Sequence, residues 1–457
     1  MTSSNFPIEW VRSVFPALQT DDKFIFFDNG AGAQVPQIVL EAVQDHLVLC
    51  NVQRGGRYGR SQEVDAGIRR ARQSIATFLN AREPAEVAFG MNATSFIRIV
   101  SLALVEILGT RTEIVVTDLD HEANIATWLA LQNRGVQIRW WKMRDTGTLD
   151  VDDLTPLLGP KTRLVACAVA SNAVGSIVDV KQVAAVTHAA GAELFLDAVH
   201  YAPHGVVDVQ DWNCDYLVCS GYKIFAPHMG FLWGKRELLE KLPTFREDFI
   251  PDEVPTKIEV GTYVYENVAG MNAAIAYLEE LGRKVLKDGK LMPSRTLLVT
   301  AMEAIRNYEI YLTGEVLRRF SNLDGVSVYG IHDPKQFQYR VPTICFNLKG
   351  VEAAAVTEHC AASGIGVRDG NMYSPRLLRR LGIPESTGAV RASLKRKYAK
   401  QRVRPVAADF DGLEKLGLEV VAENLLLEAS TVRHNPAAVA AVAVQLAREG
   451  RLRRLRR

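Results

Sequence analysis

From about Pro84 to Gly234, short apolar runs alternate with longer amphipathic stretches, which predicts strands and helices alternating around a parallel sheet. The expected strands are Glu86-Phe89, Thr112-Thr117, Gln137-Trp141, Arg163-Ala168, Glu193-Asp197, Tyr216-Ser220 and Gly230-Trp233. Between them, residues 93–108, 124–133 and 180–190 carry apolar positions at helical spacing. After an irregular stretch around Pro251 to Gly261, residues 267–281 and 295–320 read as long helices leaving the sheet. A smaller α+β unit follows, with expected strands at Val326-Tyr329, Thr343-Asn347 and Gly366-Arg368 and a helix over 353–363.

A chain of 457 residues exceeds what one hydrophobic core usually supports, so two domains are expected. The boundary is placed near Leu281 to Pro293. Residues 81–285 then form a large domain, 286–457 a small C-terminal domain, and 1–80 an N-terminal segment packing on both. Basic residues number 54 and acidic ones 52, so the charge balance gives no reason to expect a nucleic-acid partner. The arginines between Arg448 and Arg457 read as a solvated helix end. Cys50, Cys167, Cys214, Cys219, Cys345 and Cys360 form no Cys-x-x-Cys pair, and most sit among apolar neighbours, which fits free thiols in a reducing, cytoplasmic setting. The N-terminus lacks the basic and apolar regions of a signal peptide, and no run is long enough to span a membrane, so a soluble protein is expected.

The run Glu193-Leu-Phe-Leu-Asp197 ends on an acid, which puts the Asp197 carboxylate at the carboxyl edge of a parallel sheet, where open α/β folds bind ligands. Strand-end aspartates also cap helices and begin turns, so Asp197 gains meaning only with its neighbours. Lys223 stands in Ser220-Gly-Tyr-Lys-Ile-Phe-Ala-Pro-His-Met-Gly230, just past another apolar run. Taken alone, it reads as a snorkelling surface lysine. Flanked by Tyr222, Ile224 and Phe225 it would be partly desolvated, with a lowered pKa that favours condensation with an aldehyde, and it is the rest of a site around it that turns the reading this way.

A pyridoxal 5'-phosphate (PLP) site needs such a lysine for its Schiff base, an acid that keeps the pyridine nitrogen protonated, and donors for the phosphate. Asp197 and Lys223, on neighbouring strand ends, meet the first two needs. Asn92-Ala-Thr-Ser95 opens a helix, so Ala93, Thr94 and Ser95 offer amides and hydroxyls to an anion, and Ser220 adds a hydroxyl. His121, in Asp118-Leu-Asp-His-Glu-Ala-Asn124, could lay its ring against the pyridine face; a satisfied loop histidine explains it nearly as well. A metal site at Asp197, His200 and His204 matches no standard ligand spacing, so no metal is expected.

With these residues assembled, the chain resembles the fold-type I PLP enzymes of the class V aminotransferase family, and within it the cysteine desulfurase-like branch. The likeness runs from about Phe26 to Arg391. It is carried by Phe27-Asp-Asn-Gly-Ala31, Arg54-Gly-Gly-Arg-Tyr58, Asp120-His-Glu-Ala-Asn124, Ser171-Asn-Ala-Val-Gly175, Asp197-Ala-Val-His200, Ser220-Gly-Tyr-Lys223 and Gly261-Thr262. The resemblance implies an α/β fold with a mostly parallel central sheet and a smaller α+β C-terminal domain. It also implies that Asn172 and His200 serve the cofactor's phenolic oxygen, and that Thr262 reaches the phosphate of a neighbouring subunit, making a homodimer with shared active sites. Arg391 would pair with the substrate carboxylate through a bidentate fork, with Arg368, Asn29 and Arg57 also placed at the substrate.

Three departures from the family pattern matter. Its sulfur-accepting members carry a cysteine on a mobile loop a few residues after the arginine matched by Arg368; here Arg368-Asp-Gly-Asn-Met-Tyr373 has no thiol. The residue before the lysine, commonly histidine, is Tyr222, which can still donate to phosphate or stack. Finally, the family's C-terminal turn is better echoed at Ala429-Ser-Thr-Val-Arg-His-Asn-Pro436 than directly after Ser393. Either residues 395–427 are an insertion or Glu428 takes the place given to Arg391; Leu378-Arg-Arg-Leu-Gly382 upstream favours Arg391.

The leading expectation is a desulfurase-like lyase that cleaves a carbon–sulfur or other carbon–heteroatom bond at the β position of a small-molecule amino acid. An aminotransferase or an amino-acid epimerase is the alternative. A non-catalytic partner protein with this fold is also conceivable, but the retained lysine, aspartate, histidine and arginine argue against it.

Overall fold

Apolar runs become strands here because both of their faces are covered. The computed structural model describes residues 6–19, 24–287 and 291–394. Its first strands are β1 (Ile25–Phe26), β2 (Val87–Gly90), β3 (Glu113–Thr117), β4 (Gln137–Trp141), β5 (Thr162–Ala168), β6 (Glu193–Asp197), β7 (Tyr216–Ser220) and β8 (Gly230–Gly234). After two long helices come β9 (Val326–Tyr329), β10 (Thr343–Leu348), β11 (Ile365–Gly366), β12 (Arg368–Gly370) and β13 (Ala389–Ser393).

The central sheet has the order β2-β8-β7-β6-β5-β3-β4. Strands β3 to β7 run parallel, and β8 is antiparallel to its neighbours β7 and β2. Successive side chains of a strand point to opposite faces. Val165 and Cys167 of β5 accordingly enter the core on one side, and Leu164 and Ala166 the core on the other. Helices Gly59–Leu79, Val180–Ala189 and Tyr265–Leu286 contribute to the first core, and Ala93–Val105 to the second. Cover on both faces is why these strands, the edge strand β4 apart, read as continuous apolar runs rather than alternating ones.

The second sheet, β12-β13-β10-β9, is antiparallel throughout. Its core takes Leu312, Val316 and Phe320 from the helix Ser294–Phe320, and Val356 and Cys360 from Ala353–Ala362. The two long helices, Tyr265–Leu286 and Ser294–Phe320, approach so closely at Gly282 that a Cβ there would strike the Leu297 backbone.

Most expected elements fall where the pattern puts them, with two departures. Residues 366–368 are not one strand: the chain breaks at Val367, so that β11 pairs with β1 and β12 with β13. The helix expected over 124–133 starts at Ala123 and tightens to a 3₁₀ turn over Ala130–Arg134, closed by Gly135 at φ 89°. Among the described residues no helix is long and apolar enough to cross a membrane. The arginine-rich end, the Ala429–Pro436 echo and Glu428 lie outside the described residues.

What matters for function is the carboxyl edge of the parallel strands. β3, β5, β6 and β7 all end there, and the segments after them carry His121, Asn172, Asp197 and Lys223. Ligands of open α/β sheets bind at this edge.

Candidate active site

A cavity of about 310 Å³ opens at that edge. Of the residues singled out from the sequence, Ala93, Thr94, His121, Asn172, Asp197, His200, Ser220, Tyr222, Lys223 and Arg391 line it.

Lys223 closes the short turn Gly221–Lys223 after β7 and is only 6 % exposed. Its ammonium donates to the Gly30 carbonyl. Burial, with help from the positive charge of Arg391, pulls the amine down to about 7, against Asp197 and Asp28, which favour its charged form. Asp197 ends β6, and its Oδ1 accepts the Val199 N–H at 2.9 Å. Burial lifts its carboxyl to about 6, while the Val199 hydrogen bond and Lys223 oppose the rise.

His121 accepts the Ala123 N–H on Nδ1 at 3.1 Å, which leaves the ring proton on Nε2. Burial first, then Lys223 and Arg391, push the imidazole down to about 4, so it is neutral at physiological pH. Behind it, buried Asp120 accepts from Thr117 Oγ1 at 2.5 Å, Asn124 Nδ2 at 2.6 Å and the Ala168 N–H at 3.0 Å. Burial raises this carboxyl to about 7. These bonds clamp the end of β3 to the end of β5 and so position His121.

The helix Ala93–Val105 begins at the cavity. Asn92 caps it, accepting both the Ser95 N–H and the Ser95 hydroxyl on Oδ1. Ser95 is thereby a partner of the cap and does not line the cavity, whereas the Ala93 N–H reaches Ser220 Oγ at 3.3 Å. Gly230 lets β8 pass against this turn, since a Cβ there would strike Asn92.

On the side of the second sheet, His200 Nε2 bonds Thr343 Oγ1 at 2.8 Å, and its ring meets His204 edge-on at 5.6 Å. His204 in turn pairs with the buried Glu309 at 2.8 Å. Among the described residues no group of three or more His, Cys, Asp or Glu side chains converges to hold a metal ion. Tyr222 stacks on His228 at 5.0 Å.

Arg391, on β13, is 1 % exposed. It donates to Asp28 Oδ1 at 3.2 Å and to the Asn172 carbonyl at 3.0 Å, and its Nε is buried with no partner. Arg368 grips the other oxygen of Asp28 at 2.7 and 2.9 Å. One carboxylate thus lies between two guanidinium groups.

Several sequence candidates stand apart from the cavity lining. Arg368 acts through Asp28. Asn29 donates to the Phe26 and Ser393 carbonyls at 2.9 Å each, stitching the N-terminal strand to β13. Thr262 is exposed and accepts from Gln53 at 2.8 Å, and Arg57 is exposed. Asn172 does line the cavity, but both ends of its amide are engaged by residues 372 and 374. Conversely, Gly30, Asp28, Asp120 and Tyr373 belong to the site or its support without having been assigned a role. Asp28 and Gly30 sit in a motif that could have pointed to them; nothing local marks Tyr373.

The residues present fit PLP. A buried amine suits its aldehyde, a carboxylate its ring nitrogen, a neutral imidazole its ring face, and the amide end of a 13-residue helix its phosphate. The unpartnered Nε of Arg391 is an orphan donor of the kind an anion satisfies.

Comparison with known proteins points the same way. The Aminotransferase class-V family model matches residues 25–293 and 294–406. An aminotransferase-like protein, FGM3, from Gibberella zeae is 34% identical over 406 residues, spanning 86% of this chain and 95% of that protein. A probable cysteine desulfurase from Synechocystis sp. is 31% identical over 403 residues, spanning 84% and 90%. Among solved structures, the apo cysteine desulfurase from Thermococcus onnurineus NA1 superposes with a TM-score of 0.76 at 25% identity, covering 93% of this chain and 99% of that one. The cysteine desulfurase CsdA from Escherichia coli gives 0.74 at 25% identity with the same coverage. The fold is therefore that of the fold-type I PLP enzymes, and the chain belongs to the class V aminotransferase family of PLP-dependent enzymes.

Proposed function

We propose that the protein cleaves a carbon–sulfur or other carbon–heteroatom bond at the β position of an amino acid, with PLP held on Lys223. The observation that carries this reading is the amine of Lys223, buried in one cavity with the Asp197 carboxylate and tuned by that burial to about 7. Bound there, PLP supplies an electron sink that makes the substrate's α-proton acidic.

The chain's own residues do the rest. Asp197 would keep the ring nitrogen charged, and His121 would lie on the ring face. Ala93, Thr94, Ser220 and Tyr222 would meet the phosphate, with Asn172 and His200 on the side of the phenolic oxygen. Two arginines against the single charge of Asp28 leave one net positive charge for the substrate carboxylate. An unprotonated Lys223 amine beside the α-carbon is a base able to take a proton there and return it.

The cysteine desulfurases among the relatives support sulfur at the scissile bond. The aminotransferase-like relative supports amino transfer as the second reading. Incubating the loaded protein with cysteine and S-substituted cysteines, and identifying the products by mass, separates the two. Pyruvate, ammonia and the released sulfide or thiol are the expected products, with water supplying the carbonyl oxygen of pyruvate. A persistent pyridoxamine absorbance that clears on adding a keto acid would favour transfer instead.

The partner that fits is a second copy of the chain. The helix Gln37–Leu49 presents exposed Leu40, Leu47, Val48 and Leu49. Beside Pro227 and His228 it forms an apolar groove of about 640 Å³. The reading also takes residues 81–285 as the cofactor-binding unit, 286–457 as the small unit and 1–80 as a segment packing on both. Pairing of β1 with β11 supports the contact between the N-terminal segment and the small unit. Free cysteines without a disulfide among the described residues support a reducing, cytoplasmic location.

A further inference from the structure

Residues 371–374 join β12 to the helix Pro375–Arg380, and their polar groups are tied down on several sides. Asn172 Nδ2 donates to the Met372 carbonyl at 2.7 Å, and Ser374 Oγ donates to Asn172 Oδ1 at 3.0 Å. The Tyr373 amide donates to Asn371 Oδ1 at 3.0 Å, and its carbonyl accepts the Glu122 N–H at 2.9 Å. The Met372 side chain is buried in the core of the central sheet. The helix that follows is fastened too: Arg376 pairs with Glu122 at 3.2 Å and lies over Trp140, and Arg380 donates to the Met143 carbonyl at 2.9 Å.

Within this frame Met372 and Tyr373 stand at φ 54° and 61°. Residues with a Cβ rarely adopt that region, and two in succession persist only where the surroundings over-determine them. The result is that the Tyr373 ring lines the cavity, 5.6 Å from the His121 ring.

We propose that residues 371–374 are a fixed wall of the substrate pocket and that Tyr373 is a specificity-determining residue, selecting amino acids with small side chains over bulky ones. The inference rests on the reading that the cavity takes PLP and an amino acid. An amino acid has three groups to place around its α-carbon. Its amine goes to the position of Lys223 and its carboxylate to Arg391, so its side chain is left facing the remaining lining, which includes the half-exposed Tyr373 ring beside His121. A cavity of about 310 Å³ that also holds the cofactor ring leaves little room there.

The test is a spectral titration of PLP-loaded protein with alanine, cysteine and phenylalanine, giving apparent dissociation constants from the visible absorbance. The unaltered protein is expected to prefer the small amino acids by about tenfold or more, the order of discrimination that a steric difference in a binding pocket supplies. Tyr373→Ala should shrink that preference at least about tenfold, chiefly by tightening phenylalanine, and Tyr373→Trp should widen it. Tyr373→Phe, which keeps the ring, should stay within about threefold of the unaltered protein. If Tyr373→Ala does not fold, the Trp and Phe variants still decide the matter. The inference is overturned if the Ala and Trp variants keep the original order and ratio of preference, or if phenylalanine binds the unaltered protein best. Should no amino acid move the spectrum of the unaltered protein, the proposed function itself fails and takes this inference with it.

Discussion

Lys223 illustrates how a residue becomes reactive through what surrounds it. Losing water disfavours its charged form, and Arg391 repels that form further, so the amine falls from 10.5 to about 7. Below pH 7 it is an ammonium that cannot attack an aldehyde; above, it is a free amine. The Asp197 carboxylate ionises above about 6. Cofactor capture by the apo-protein should therefore speed up between pH 6 and 8 and level off beyond, as followed by absorbance after adding PLP. Equal rates at pH 5.5 and 8 would contradict this. The same shift has a stability sign. Between pH 7 and 10.5 the unfolded chain holds a proton on this amine that the folded chain has released, so the contribution of Lys223 to stability rises with pH across that window and is lost as pH falls to 7. Removing the amine in Lys223→Ala should lower turnover by about 10²–10⁴-fold and abolish borohydride fixation of the cofactor, while circular dichroism stays unchanged. Lys223 and Asp197 were legible in the sequence because each follows an apolar run, which fixes its place at a strand end. Tyr373 was not: its position depends on two left-handed residues and on hydrogen bonds to Asn172 and Glu122, far off in the chain.

At the scale of elements, legibility followed local burial. The strands of the central sheet other than the edge strand β4 are covered on both faces, so their apolar runs announce them. The short strands β1 and β11 owe their existence to each other across more than three hundred residues of chain, whereas β12 pairs with the nearby β13, and composition alone did not separate β11 from β12. A similar long-range tie holds the turn that carries Asn172. Arg340, 1 % exposed, donates to the carbonyls of Val174, Ile331 and Thr343, joining this turn to β10. Gly175, at φ 81°, lets the turn press against Thr343, whose carbonyl a Cβ would strike. In Arg340→Met the volume is roughly kept, but the buried carbonyls lose their charged donor. The expected loss is about 3 kcal/mol, the magnitude for abandoned buried acceptors and hydrogen bonds to a charged group. Urea unfolding with an unchanged m-value would register it. A loss below about 1 kcal/mol would mean that water replaces the guanidinium and that the turn is held by other contacts.

The whole molecule leaves one large question of surface chemistry, the apolar groove along the helix Gln37–Leu49. Exposed Leu40, Leu47, Val48 and Leu49 clustered on one helix form the kind of apolar patch that a partner covers. A second copy is the occupant that also explains the groove's location. His228 lines the groove and stacks on Tyr222, and Tyr222 lines the cavity, so covering the groove would hold one wall of the site. Thr262, exposed here and given no place in this chain's own cavity, would by the same association be free to reach the site of the neighbouring copy. Leu47→Asp combined with Val48→Asp would put two carboxylates into the buried face, where desolvating an unpaired charge opposes association. Sedimentation should then find a dimer for the unaltered protein and a monomer for the variant. PLP should also bind the variant at least about tenfold more weakly, since its phosphate would lose a contact and Tyr222 its support. Dimerisation and cofactor affinity are coupled in this scheme, so raising the PLP concentration should shift the unaltered protein further toward the dimer. A variant that is monomeric but binds PLP as tightly as before would separate the two and restrict each site to a single chain.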